Sequence, residues 1–284
     1  MNLQSAARSG PAPLQQTIGQ DRFPYVDMGN GVPVVFLHGA LADWRIWAEH
    51  CRLLSKRFRC ISFTQRYFGE TAWREDGPRF GVSTHAEDLI AFVEALGIGP
   101  VNLVAWSYAG HVALHAATQR PELFSRILAY EPGVRTLPLG PDEAALVGQD
   151  AQAAFGPIFA AVGEGRLEDA VRLLIDASGG AGHFDAEPAD SRRIKLENLH
   201  TMPLLLSQEE PPAMSCEDLK RLPVPVSVAW GEKTRPLFKF PSEAVARCVA
   251  HGAHREVPGV GHLWPDEDPP GFSAFVESWL DEKP

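Results

Sequence analysis

Apolar residues fall in short unbroken runs separated by longer amphipathic stretches. VVFL (Val34 to Leu37), CISF (Cys60 to Phe63), VNLVAW (Val101 to Trp106), RILAYE (Arg126 to Glu131) and VPVSVAW (Val224 to Trp230) each predict a strand. HREV (His254 to Val257) predicts a shorter, weaker one. Unbroken rather than alternating apolarity suits strands covered on both faces, as in a parallel sheet. Between the strands lie helical patterns. In STHAEDLIAFVEALG, Ala86, Leu89, Ile90, Val93 and Leu96 recur at helical spacing. Thr84 and Glu87 suit a capping box at its start, and Gly97 suits its end. FSAFVESWL, near the C-terminus, is a second amphipathic helix. Strand alternating with helix predicts an α/β fold with a doubly wound, mostly parallel sheet.

One region breaks the alternation. From about Gly133 to Arg221 no strand pattern occurs, and EAALVGQDAQAAFGPIFAAVG, RLEDAVRLLIDAS and SRRIKLENLHTMPLLL all read as helix. A single crossover between parallel strands needs only a dozen or so residues. The excess predicts an inserted helical cap over residues 134–221. The core is then residues 14–133 and 222–284, and residues 1–13, small and polar, form a flexible lead-in.

Composition narrows the function classes. The chain has 284 residues, 45% of them apolar, enough to bury a large core. Acidic residues outnumber basic ones 36 to 26, a net charge of −10. That argues against a nucleic-acid partner, which would need a basic face. No run approaches the roughly 20 apolar residues of a membrane span, and MNLQSAARSGPAPLQQ has no apolar signal core. A cytoplasmic location is expected. Cys51, Cys60, Cys216 and Cys248 form no C-x-x-C pair and are expected as separate, reduced thiols. His251 and His254 lack neighbouring ligands, so no metal site is expected.

The candidate chemistry begins at VAWSYAGHVAL. An apolar strand runs into Ser107, and helix-forming residues follow. The nucleophile elbow of serine hydrolases is G-x-S-x-G, which presents its serine on a sharp strand-to-helix turn. Here Ala105 and Ala109 replace both glycines, and Gly110 follows. Alanine keeps the small size that the crowded turn demands.

Other segments make the resemblance specific. A strand ends in Leu37-His38-Gly39-Ala40, with Trp44 and Trp47 shortly after. TQRYFGET follows the next strand, and PGVGHLWPDE lies near the C-terminus. In these features the chain resembles the α/β-hydrolase superfamily over about residues 23–284. The resemblance implies that His262 is the general base and that His38 is structural. It also implies that the backbone N–H groups of Ala40 and Tyr108 hold the oxyanion.

The orienting acid departs from the common pattern. The superfamily often has an aspartate in W-G-x-x-D, but this chain reads Trp230-Gly231-Glu232-Lys233-Thr234. Threonine cannot supply the charge that stabilises an imidazolium. Glu131, in LAYEPGV, resembles the alternative placement used by haloalkane dehalogenases and certain lactone hydrolases. Glu232 is the second candidate.

The expected function is therefore a cofactor-free serine hydrolase cleaving a carboxylic ester or lactone through Ser107, His262 and Glu131. Trp106, Tyr108 and Trp264 flank these positions, and the cap offers Phe155, Phe159, Met202, Leu204 and Leu205. They suit a small apolar or aromatic substrate. A homodimer is one assembly open to such a chain. Two alternatives stand beside this reading: a lyase, synthase or acyltransferase on the same scaffold, or a ligand-binding protein that has lost catalysis.

Overall fold

The structure, a computed structural model, describes residues 12–70, 73–208 and 212–282. Most of the expected lead-in lies outside the described residues. Leu14–Ile18 (β1) and Asp21–Met28 (β2) form an antiparallel hairpin, which then pairs antiparallel with Phe58–Phe63 (β4). Val32–Leu37 (β3), Val101–Trp106 (β5), Phe124–Tyr130 (β6), Val226–Gly231 (β7) and His254–Val257 (β8) complete the sheet. The order is β1-β2-β4-β3-β5-β6-β7-β8, and every pair from β4 to β8 is parallel. The expected doubly wound α/β fold is present.

Helices cover both faces. One apolar layer joins Val82–Leu96 (α2) and Tyr108–Gln119 (α3) to the sheet through Leu89, Phe92, Val93 and Val112. The other lies under Ala48–Leu54 (α1) and the C-terminal Pro269–Asp281 (α12), with Trp47, Phe272 and Trp279 buried there. The expected capping box at α2 does not form. The helix starts earlier, at Val82, and the Thr84 hydroxyl donates to the Arg79 carbonyl at 2.7 Å. Gly97 does end it, in the left-handed conformation at φ 63°.

Between β6 and β7 the described residues are helical or irregular. Pro141–Gly163 (α4), Leu167–Gly179 (α5), His183–Ala186 (α6), Ala189–Glu197 (α7), Met202–Ser207 (α8) and Cys216–Arg221 (α9) follow one another. Ile158, Val171, Ile175 and Met202 from this insertion join the α1/α12 layer. Polar ties lock it down. The Asn198 side chain accepts from the Gly69 N–H at 2.6 Å and donates to Asp43 at 3.1 Å. Lys195, buried, sits 2.8 Å from Glu187 and 2.5 Å from Asp266.

Val134 and Leu137 at the start of the insertion, and Met214 and Leu219 at its end, pack in the α2/α3 layer. Two cysteines also pair, contrary to the expectation of four separate thiols. Cys216 at the start of α9 is disulfide-bonded to Cys248 at the end of Pro236–Cys248 (α10). Cys51 and Cys60 are free and buried.

Candidate active site

Strand register brings the candidate residues together. Trp106 pairs with Tyr130 across the parallel β5–β6 ladder, so Ser107 and Glu131 leave neighbouring strands at one level. Both then turn sharply. Ser107 has φ 59° and Glu131 φ 46°, the left-handed region that costs a side-chain-bearing residue about 1–3 kcal/mol. The fold holds them there by hydrogen bonds. The Ser107 N–H donates to the Tyr130 carbonyl at 3.0 Å, and the Ser107 carbonyl accepts from Gly110 at 2.8 Å and Gly133 at 3.0 Å.

The space that a nucleophile elbow needs is supplied one residue later than the motif has it. Ala105 and Ala109 are fully buried without difficulty. A Cβ added to Gly110 would lie 2.5 Å from both Cα and Cβ of Pro132, the residue after Glu131. Gly110→Ala must therefore push against a pinned backbone. It is expected to destabilise the protein by about 1–3 kcal/mol, read as a lower urea midpoint at unchanged m-value. A midpoint equal to wild type would refute this account of the elbow.

His262 follows β8 and precedes the short helix Trp264–Glu267 (α11). Its Nδ1 lies 2.6 Å from Glu131 Oε2, and its Nε2 lies 3.0 Å from Ser107 Oγ. Beside a carboxylate Nδ1 carries the proton, which leaves the Nε2 lone pair facing the serine hydroxyl. The Trp106 indole N–H donates to the His262 carbonyl at 2.9 Å, and the Tyr130 hydroxyl donates to the Gly261 carbonyl at 2.6 Å. The Phe238 ring stacks on the imidazole at 3.7 Å between centroids, 8° from parallel. Nothing in the sequence marked Phe238, because its contact depends on how α10 leaves β7.

Glu131 is 1% exposed. A carboxylate so buried must be hydrogen-bonded. Its Oε1 accepts from the Gly231 N–H at 2.8 Å, and Oε2 accepts from the Thr234 hydroxyl at 2.8 Å as well as from His262. Thr234 thus serves the carboxylate whose usual place it occupies. Glu232, the other candidate acid, points elsewhere and accepts from the Gly259 N–H at 2.8 Å.

Ala40 and Tyr108 border the same cavity as Ser107. Tyr108 opens α3, where N–H groups have no intrahelical partner. The HG turn is held by His38, whose Nδ1–H donates to the Gly39 carbonyl at 2.8 Å while Nε2 accepts from the Gln65 N–H at 3.0 Å. Burial pushes the His38 pKa down to about 4, consistent with this neutral tautomer. The Tyr108 ring is anchored likewise. Burial lowers His85 to about 3, its Nε2–H donates to the Arg66 carbonyl at 3.1 Å, and its Nδ1 accepts from the Tyr108 hydroxyl at 2.7 Å.

The cavity above these groups has a volume of about 550 Å³. Trp106, Phe155 and Phe159 line it as expected, as do Met202 and Leu205. Leu206 takes the place expected for Leu204. Trp264 is a correction: it lies outside the lining, packed on Tyr130 at 5.7 Å and Phe272 at 5.1 Å. It follows His262 by two residues, and α11 turns its ring into the core.

A model of the Alpha/beta hydrolase family matches residues 34–275. The chain belongs to this family. Among curated relatives, a protein of Mycobacterium tuberculosis named BpoC, with a provisional assignment as a non-heme bromoperoxidase, is 35% identical over 103 residues. That alignment covers 36% of this chain and 38% of the relative. A soluble epoxide hydrolase of a Corynebacterium species is 30% identical over 122 residues, 42% of each chain. Among solved structures, a thermophilic esterase from Thermogutta terrifontis superposes with a TM-score of 0.70 at 23% identity, covering 95% of this hydrolase-family chain and 98% of the esterase. At that identity the likeness speaks for the fold alone. No helix among the described residues is long and apolar enough to cross a membrane.

Proposed function

We propose that the protein is a serine hydrolase that cleaves a carboxylic ester or lactone with no cofactor. The observation that carries this reading is the unbroken hydrogen-bond chain from Ser107 Oγ through His262 to Glu131, at 3.0 and 2.6 Å. Those distances lie within the reach a nucleophile and its base require.

His262 Nε2 takes the Ser107 proton as Oγ attacks the carbonyl carbon. The imidazolium is stabilised by Glu131. The carbonyl oxygen becomes an oxyanion held by the Ala40 and Tyr108 N–H groups, with the start of α3 adding its dipole. His262 then protonates the departing alcohol, and the C–O bond breaks to leave an acyl-enzyme. Water then attacks the acyl carbon as His262 takes its proton, and that proton passes to Ser107 Oγ as the Oγ–C bond breaks and the acid leaves. In a lactone the alcohol stays tethered to the acyl group, which changes nothing in these steps. The mostly apolar cavity suits an apolar or aromatic group, and an enol-lactonase from Burkholderia xenovorans shares the fold at a TM-score of 0.70.

A fluorophosphonate probe is expected to add once, at Ser107. A short p-nitrophenyl ester is expected to release p-nitrophenol in a burst when deacylation is slow. Folded protein with neither adduct nor turnover would overturn the hydrolase reading in favour of a non-acyl reaction or a binding role.

A further inference from the structure

The cavity is electrostatically unlike the rest of the molecule. The chain carries 36 acidic residues and a net charge of −10. Yet among the described residues no aspartate or glutamate lines the cavity, while Lys195 and Arg135 do. The two cations differ. Lys195 is neutralised, with Glu187 at 2.8 Å and Asp266 at 2.5 Å. Arg135 makes no ion pair with any described residue. Its guanidinium instead lies over the Phe155 ring at 4.9 Å from the centroid, which fixes its direction without consuming its charge.

Arg135 is also fixed relative to the reacting groups. It follows Glu131 on the loop leaving β6. That loop is pinned by Gly133 donating to the Ser107 carbonyl at 3.0 Å and by Val134 donating to the Pro132 carbonyl at 2.9 Å. The Val134 side chain is buried in the core just before it. An apolar cavity that includes Ser107 thus has, among the described residues, one pre-oriented fork of N–H donors in its lining with no carboxylate against it. Such a fork matches a carboxylate with two parallel hydrogen bonds.

We propose that Arg135 selects substrates that carry a carboxylate on the part of the molecule remote from the scissile carbonyl. The preferred substrate is then a half-ester or carboxylated lactone, with an apolar span between its two ends. This rests on the serine-hydrolase reading for its chemistry, but not for the binding contact itself. Because Arg135 is exposed to water, the contact is worth far less than a fully buried pair. A selectivity of about ten-fold is expected.

The test compares mono-p-nitrophenyl glutarate with its neutral methyl ester, p-nitrophenyl methyl glutarate. Wild type is expected to favour the free acid. In Arg135→Gln the ratio of the two kcat/KM values falls about ten-fold, mostly through KM, and Arg135→Lys recovers part of it. Equal ratios in wild type and Arg135→Gln would overturn the proposal. If wild type turns over neither ester, the hydrolase reading fails and binding decides the matter. Monomethyl adipate should then bind more tightly than dimethyl adipate, read by tryptophan fluorescence. The difference should vanish in Arg135→Gln, and its persistence there, or its absence in wild type, would refute the carboxylate site.

Discussion

Ser107→Ala is expected to lower kcat by about 10⁵–10⁶-fold with little change in KM, and to abolish labelling by the fluorophosphonate. The substitution removes one oxygen and leaves the rest of the site in place. Alanine occupies φ 59° at the same strain as serine, since both carry a Cβ. The bonds that hold the turn are made by the Ser107 backbone, to Tyr130, Gly110 and Gly133, and survive the change. The melting temperature should therefore stay near that of wild type. The cavity should still bind, because its lining is untouched apart from Oγ. Rate above the uncatalysed reaction should persist, of order 10³–10⁴, from the oxyanion donors and positioning alone. If Ser107→Ala kept more than about a hundredth of wild-type kcat, Ser107 would not be the nucleophile, whatever its contact with His262.

Residues that end a strand were legible in the sequence, because an apolar run announces where a parallel strand stops. Ser107 and Glu131 each lie just beyond such a stop, whereas His262 follows the short, half-polar β8 by several residues and was found by its G-x-G-H context. The sheet's first hairpin was not legible. LQQTI is largely exposed, and DRFPYVDM carries a proline, so neither shows the unbroken apolarity of a covered strand. The Cys216–Cys248 pairing was equally silent, since cysteines 32 residues apart say nothing about distance in space. The cavity was half legible. Aromatic residues near the catalytic positions were easy to nominate. Whether each ring faces the cavity, as Trp106 at the end of β5 does, or the core, as Trp264 in α11 does, depends on how its segment packs against its neighbours. Phe238 and Arg135 were missed for the same reason.

The elbow shows how a motif can be broken in letter and kept in physics. The glycine with least room here is Gly110, against Pro132, and a Cβ added to Gly39 would lie 3.1 Å from the Trp106 carbonyl oxygen and 3.2 Å from Ser107 Cβ, so those neighbours would have to shift. The G-x-S-x-G pattern counts glycines at fixed positions. The turn needs only that no Cβ meet the neighbouring backbone.

The second large effect is expected at Glu131. Glu131→Gln should reduce kcat by about 10⁴-fold, while Thr234→Ala stays within about a few-fold of wild type. The reason lies in the donors around the carboxylate. The Gly231 N–H points at Oε1, so a glutamine at this position must turn its carbonyl oxygen there. Its NH₂ then occupies the place of Oε2, facing Thr234 and His262. The Thr234 hydroxyl can rotate and accept. His262 Nδ1 can accept only by giving up its proton, and the proton moves to Nε2. The imidazole then presents N–H rather than a lone pair to Ser107, and the base is lost while the fold is kept. Removing the Thr234 hydroxyl instead leaves the carboxylate charged, with Gly231 and His262 still attached. A further variant separates charge from position. Glu131→Gln/Thr234→Asp puts a carboxylate back beside the place of the one removed, since the Thr234 hydroxyl lies 2.8 Å from Glu131 Oε2. It is expected to recover at least about ten-fold of the activity lost in Glu131→Gln. Each variant is checked by kcat on a p-nitrophenyl ester beside a thermal melt. A larger loss in Thr234→Ala than in Glu131→Gln, at equal stability, would move the orienting role away from Glu131.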